Sequence, residues 1–124
     1  MIGSMKERSA QLAVEIIVPN LTSALTFYQL IGFVVERHAG TFVSLRWGDS
    51  YLFLAESAAA PVSPRWANIR TIVPNVDEVW KRIIALDVPI LRPIGDREYG
   101  LRDFVVRDPA GFEVRFASII NCDE

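Results

Sequence analysis

The chain is poor in the residues that staple small proteins or ligate metals: it has one cysteine, Cys122, and one histidine, His38. A lone cysteine forms no internal disulfide, and Cys122, in a polar tail, reads as an inert thiol rather than a nucleophile. An excess of positive charge is also missing. Thirteen Lys and Arg stand against 15 Asp and Glu, for a net charge of −2. No basic cluster is interleaved with aromatics, so nucleic acid is not an expected partner. No apolar run approaches the ~20 residues of a membrane span. The N-terminus has no apolar core of the signal-peptide kind, so the expected location is the cytoplasm, with no membrane partner. What remains is a folding composition, with 51% hydrophobic and 23% charged residues over 124 positions. That length suits one domain able to bury roughly two-thirds of its unfolded surface.

The chain repeats itself. Ile17-Val18-Pro19-Asn20 recurs as Ile72-Val73-Pro74-Asn75, 55 residues on (72 − 17). Upstream of each copy lies an alternating run, Leu12, Val14, Ile16, Val18 and then Ile69, Thr71, Val73; such alternation marks a strand with one buried face. Downstream of each comes an amphipathic helix. Asn20 and Asn75 are good N-caps, because the side-chain oxygen accepts an orphan N–H of the first turn. Ala24, Phe27 or Tyr28, and Ile31 share a face of the first helix; Val76, Val79, Ile83 and Leu86 share one of the second. Gly32 is expected to end the first helix, and Asp77 and Glu78 suit the positive end of the second.

Strand-like runs follow each helix: Phe33–Arg37, Phe42–Arg46 and Tyr51–Ala55, then Pro89–Leu91 (weak), Leu101–Arg107 and Phe112–Ala117. Asp108-Pro109-Ala110-Gly111 joins the last two with turn chemistry. Glu56–Arg65, rich in Ala, Pro and Ser, reads as a linker. The stretch Arg92–Gly100 reads as a loop without a counterpart in the first half. The prediction is an α+β fold of two βαβββ repeats forming a curved mixed sheet, a single domain over 8–120. Repeat one covers 11–55, the linker 56–66 and repeat two 67–117. Neither half buries its sheet alone, so two must pack together, within one chain or between two.

These pieces resemble the vicinal oxygen chelate superfamily, which includes glyoxalase I, extradiol dioxygenases, fosfomycin resistance proteins and bleomycin resistance proteins. The likeness is carried by Asn20 at the strand–helix junction, Phe27-Tyr28-Gln29-Leu30-Ile31-Gly32-Phe33, Tyr99-Gly100, and Arg107-Asp108-Pro109-Ala110-Gly111-Phe112-Glu113. It runs from about Leu12 to Ala117, and the loop and last hairpin look most like bleomycin resistance proteins, whose role in antibiotic resistance is to bind their ligand. The resemblance implies that one sheet face packs on the helix while the other lines a cup, and it implies a homodimer. Strand parity then sends Leu12, Val14, Ile16, Val18, Leu52, Leu54, Ile69, Thr71, Val73, Val114 and Phe116 toward the helices. The cup face receives Ala13, Glu15, Ile17, Tyr51, Phe53, Ala55, Asn68, Arg70, Ile72, Glu113, Arg115 and Ala117. The parity of Phe42, Ser44 and Arg46 stays open.

Metal-dependent members of the superfamily place His, Gln or Glu at one cup position on each of four strands. The resemblance maps those positions to Ala13, Phe53, Asn68 and Arg115, with Asn68 again 55 residues after Ala13 (68 − 13). Alanine and phenylalanine donate nothing, arginine is a cation, and one neutral amide holds a transition metal poorly. A two-residue slip on the first strand would bring in Glu15 and still leave Phe53 and Arg115. His38, near a strand end, reads as a surface histidine. No metal or other cofactor is therefore expected, and no catalytic residue is assigned.

The expected ligand-binding residues are Glu15, Tyr51, Phe53, Asn68, Arg70, Tyr99, Asp103, Glu113 and Arg115. The charged ones supply a polar floor, Tyr51 and Phe53 apolar walls, and Tyr99 an aromatic that stacks on a ligand. Ion pairs closing an unoccupied cup are the plainer account of the same charges, and core filling the plainer account of Tyr51 and Phe53. Trp47 and Trp66 are candidates for covering the mouth. The expected function is a metal-independent protein that binds or sequesters a small organic ligand. The alternative is a glyoxalase- or dioxygenase-like enzyme, a lyase, isomerase or ring-cleaving enzyme, acting on a small organic substrate. A third reading is a structural partner whose cup completes an oligomer.

Overall fold

The computed structural model describes residues 12–62 and 67–120. Cys122 and Trp66 lie outside the described residues. The chain divides into two units between Val62 and Ser63. The first contains β1 (Ala13–Val18), α1 (Leu21–Leu30), β2 (Val34–Ala39), β3 (Phe42–Trp47) and β4 (Ser50–Glu56). The second contains β5 (Asn68–Ile72), α2 (Val76–Ile84), β6 (Ile90–Asp96), β7 (Leu101–Arg107) and β8 (Glu113–Ile119). Each unit is βαβββ, as the sequence repeat predicts, and each forms a four-stranded mixed sheet. The strand orders are β1-β4-β3-β2 and β5-β8-β7-β6. In both, the first strand pairs parallel with the last and the rest is an antiparallel meander.

The helices start where the asparagines stand. Asn20 Oδ1 accepts the Ser23 N–H at 3.0 Å, and Asn75 Oδ1 accepts that of Glu78 at 3.3 Å. A second bond fixes each helix to the end of its sheet's last strand. The Leu21 N–H donates to Glu56 Oε2 at 3.0 Å, and the Val76 N–H donates to Ser118 Oγ at 2.8 Å. Ser118 Oγ donates in turn to the Val73 carbonyl at 2.7 Å; the matching carbonyl of Val18 accepts instead from the Ser57 N–H at 2.9 Å. Glu56 is thus part of β4 and holds α1, a correction to its place in the linker. Helix α1 ends at Ile31, and Gly32 takes φ 120°, a conformation that strains any residue with a Cβ. In the Asp108–Gly111 turn, Asp108 Oδ1 accepts from Ala110 and Phe112 N–H at 2.9 and 2.8 Å.

Each core lies between one helix and one sheet face. Ile16, Val18, Val43, Leu45, Leu52 and Leu54 are buried with Phe27, Tyr28 and Ile31, both aromatics of the Phe27–Tyr28 pair turning inward. In the second unit Val106, Val114, Phe104 and Phe116 are buried with Val76, Val79 and Ile83. Leu12 and Val14 depart from the expected helix-side burial, at 81% and 39% exposed: Leu12 precedes β1, and β1 is an edge strand. Leu86 also departs, lying beyond the end of α2. The supposed loop from Arg92 is strand as far as Asp96: β6 pairs with β7 through two register shifts, which Pro93 and Gly95 disguise in the sequence.

Candidate functional site

Pairing registers assign the paired strand side chains to a face, since Cα partners point the same way. In the first unit, Phe42 pairs with Ala55, Ser44 with Phe53 and Arg46 with Tyr51. Ala13 pairs with Tyr51 and Glu15 with Phe53. Val43 and Leu45 enter the core, so Phe42, Ser44 and Arg46 lie on the helix-free face and the open question of the third strand is answered. This face is largely aromatic. Phe53 lies 5.3 Å from Phe42 and 6.2 Å from Tyr51, centroid to centroid. Ser44 is fully buried among these rings, and its Oγ has no partner among the described residues. Glu15 is exposed at the edge strand.

The helix-free face of the second unit is charged. Asn68 pairs with Glu113 and Arg70 with Arg115; Asp103 pairs with Ala117, Val105 with Arg115 and Arg107 with Glu113; Arg92 pairs with Val105. Arg115 donates to Glu113 Oε1 at 3.3 Å. Asp103 has no exposed side-chain surface. Its Oδ1 accepts from Arg97 Nε at 2.7 Å, its Oδ2 from the Tyr99 hydroxyl at 2.9 Å, and Arg92 approaches at 3.3 Å. Burial alone pushes this carboxyl up. The hydrogen bonds from Arg97 and Tyr99, with the charges of Arg92 and Arg97, outweigh it and hold the group below its ordinary value. Asp103 is thereby an ionised anchor for the end of the β6–β7 hairpin. Tyr99 turns its hydroxyl to this anchor while its ring stays exposed.

The four positions mapped as metal-ligand positions fall on these helix-free faces as Ala13, Phe53, Asn68 and Arg115. Their donor chemistry does not fit a transition metal, and Arg115 sets a cation where a ligand belongs. Among the described residues no group of three His, Cys, Asp or Glu stands ready to hold an ion. His38 is exposed on the other side of the first sheet. There it lines a groove of about 290 Å³ with Thr22, Thr26, Gln29 and Glu56. Sequence reasoning missed Arg92, Arg97 and Arg107. For Arg92 and Arg97 the signal was available only through the path of β6, which the sequence does not display; Arg107 shares the parity of Asp103 on β7 and was legible from it. No helix among the described residues is long and apolar enough to cross a membrane.

A family model described as the Glyoxalase/Bleomycin resistance protein/Dioxygenase superfamily matches residues 10–116. No curated protein matches the chain in sequence. Among solved structures it is similar to a glyoxalase/bleomycin resistance protein/dioxygenase from Alicyclobacillus acidocaldarius. That match has a TM-score of 0.78 and 17% identity over 91% of this chain and 93% of that one. It is similar to a lactoylglutathione lyase from Agrobacterium tumefaciens, with a TM-score of 0.70 and 23% identity over 89% and 93%. It is also similar to the genomically encoded fosfomycin resistance protein FosX from Listeria monocytogenes, with a TM-score of 0.72 and 18% identity over 89% and 93%.

Proposed function

Because the chain belongs to the Glyoxalase/Bleomycin resistance protein/Dioxygenase superfamily, we propose that it binds a small organic molecule against the helix-free faces of its sheets and acts on that molecule as an enzyme. The observation that carries the binding role is the contrast between faces. The helix sides are apolar cores, while the helix-free side presents Glu15 with Tyr51 and Phe53 in the first unit, and Asn68, Arg70, Glu113 and Arg115 in the second. Apolar walls with a few convergent polar groups are the usual make-up of a small-molecule site. A likeness to a protein named as a lyase supports a catalytic role over simple sequestration. The carboxylates placed to exchange a proton with a substrate are Glu15, which has no partner among the described residues, and Glu113, which Arg115 holds. Asp103 is committed to its anchor.

Metal-independent sequestration is the second reading, and the residues Ala13, Phe53, Asn68 and Arg115 favour it. One experiment separates the roles. Protein dialysed against a chelator is incubated with a library of small organic molecules, binding is mapped by amide chemical shifts, and products are sought by mass spectrometry. The expected result is a ligand that shifts the helix-free faces, a new product, and a melting temperature that neither chelator nor added zinc or manganese changes, since only a species that binds the folded state stabilises it. Binding without turnover across the library would leave the sequestering role. Near-stoichiometric metal lost on mutating Glu15 or Glu113 would reverse the metal-free assignment.

We also infer a homodimer. β1 and β5 stand at sheet edges and expose Val14, Ile17 and Ile72, and such edges are normally covered. Light scattering should give twice the 13.9 kDa of one chain. A monomer at micromolar concentration would refute it.

A further inference from the structure

We propose that the ligand carries an oxyanion, a carboxylate or a phosphoryl group, which sits on the arginines of the second unit's helix-free face; this rests on the small-molecule reading above. Arg70 and Arg115 are Cα partners on adjacent parallel strands, so two cations stand side by side. Like charges directly opposite repel, and nothing in the local fold requires them there. Arg115 is flanked on its other side by Val105, whose further partner is Arg92, and Arg107 lies one pair along, opposite Glu113. Four arginines thus share the face with two carboxylates, Asp103 and Glu113, on a chain whose net charge is −2.

The donors are under-used as well as crowded. The Nε atoms of Arg92, Arg107 and Arg115 are all cut off from solvent, and none has a hydrogen-bond partner among the described residues. Arg70 is exposed and makes no hydrogen bond or ion pair among them. Of the four arginines Asp103 pairs with Arg92 alone, and its oxygens also accept from Arg97 and Tyr99, so Arg70, Arg107 and Arg115 are left with Glu113 as the one carboxylate of the face. Buried donors without acceptors are rare in folded proteins. A planar guanidinium fork matches the oxygens of a carboxylate or phosphoryl group in both spacing and charge. An oxyanion laid across Arg70 and Arg115 would relieve their repulsion and accept from their terminal guanidinium N–H groups. The first unit's helix-free face, with its aromatic rings, offers no such cluster.

The test uses the full chain and three probes of one shape: benzoate, phenylphosphonate and neutral benzamide, titrated at millimolar concentration and followed by amide chemical shifts. At least one of the two anions is expected to shift residues 68–72, 105 and 113–117, with benzamide binding weaker by about tenfold or more. Arg70→Gln, an exposed change that leaves the core untouched, and Arg115→Gln should each weaken the anion by about tenfold. Arg115→Lys should recover part of the loss. Arg82→Gln, the same charge change on exposed α2, should leave binding as it was. Whichever of benzoate and phenylphosphonate binds tighter identifies the group. Equal binding of benzamide, or anion binding that survives both glutamine variants, would overturn the oxyanion assignment and leave the small-molecule role standing. Failure of both anions to reach this face would do the same. The wider role falls only if the library also finds no ligand on either helix-free face.

Discussion

Replacing Asp103 by alanine is expected to cost about 3 kcal/mol of folding free energy, because it removes a buried carboxylate and leaves the half-exposed Arg92 and part-buried Arg97 without the charge they were built around. The carboxylate has no exposed surface, and three side chains donate to it. Arg97 also donates to the carbonyls of Pro93 and Asp103 at 2.8 and 3.1 Å, so its displacement would loosen both strands of the β6–β7 hairpin. Asp103→Asn keeps the shape but presents an amide N–H₂ to groups that are themselves donors, and should recover little. The pH dependence follows from the lowered pKa of Asp103. A carboxyl held below its unfolded value of about 3.9 gives its full stabilisation above that pH and loses it as pH falls through the folded value. Wild-type stability should therefore drop in the acid range below about pH 4, and Asp103→Asn should flatten that part of the curve. Urea titrations between neutral and acid pH measure both effects. A loss under 1 kcal/mol for Asp103→Ala would mean the cage contributes nothing net, as many partly exposed ion pairs do.

Phe104→Ala should cost a comparable amount, about 3–5 kcal/mol, through a different cause: a cavity in the core of the second unit. Phe104 is fully buried, stacked on Phe116 at 5.3 Å and tilted against Trp80 of α2 at 5.0 Å. Its removal takes away the contact that spans helix, β7 and β8. Phe104→Leu refills part of the volume and should cost less. Phe53→Ala, on the half-buried helix-free face of the first unit, should cost about 1 kcal/mol. The expected signature is a lower denaturation midpoint with an unchanged slope. A cost for Phe53→Ala equal to that for Phe104→Ala would mean that the aromatic face is core rather than a surface kept for a ligand.

The repeat was legible because its signals are local. An asparagine capping a helix, a turn closed by Asp108 and a glycine at 32 state their geometry within a few residues. Parity carried the assignment further, to Glu15, Asn68, Arg70, Glu113 and Arg115 on the helix-free faces, because these strands run without a bulge. It failed at β6, where two register shifts break the period and hide that Arg92 faces Asp103. It stopped at β3, where Phe42 and Trp47 put an aromatic on each face; only the pairing with β4 separates them. Asp103 was readable as a carboxylate on that face but not as one already occupied, since its partners come from a bent strand and the turn beyond it. Glu56 was lost to the linker because Ser57-Ala58-Ala59-Ala60 follows it at once.

Glu56 and Ser118 show how far duplicated halves can drift without losing their common geometry. A carboxylate only accepts, whereas a hydroxyl accepts and donates together. In the second unit one serine therefore serves both the Val76 N–H and the Val73 carbonyl. In the first unit glutamate serves the Leu21 N–H alone, and the neighbouring Val18 carbonyl draws on the backbone of Ser57. The two solutions share only an accepting side-chain oxygen and would score as a mismatch in any comparison of letters, yet they discharge the same pair of obligations. Divergence at this point is coupled: a residue here changes its kind only where the chain just beyond it changes its path.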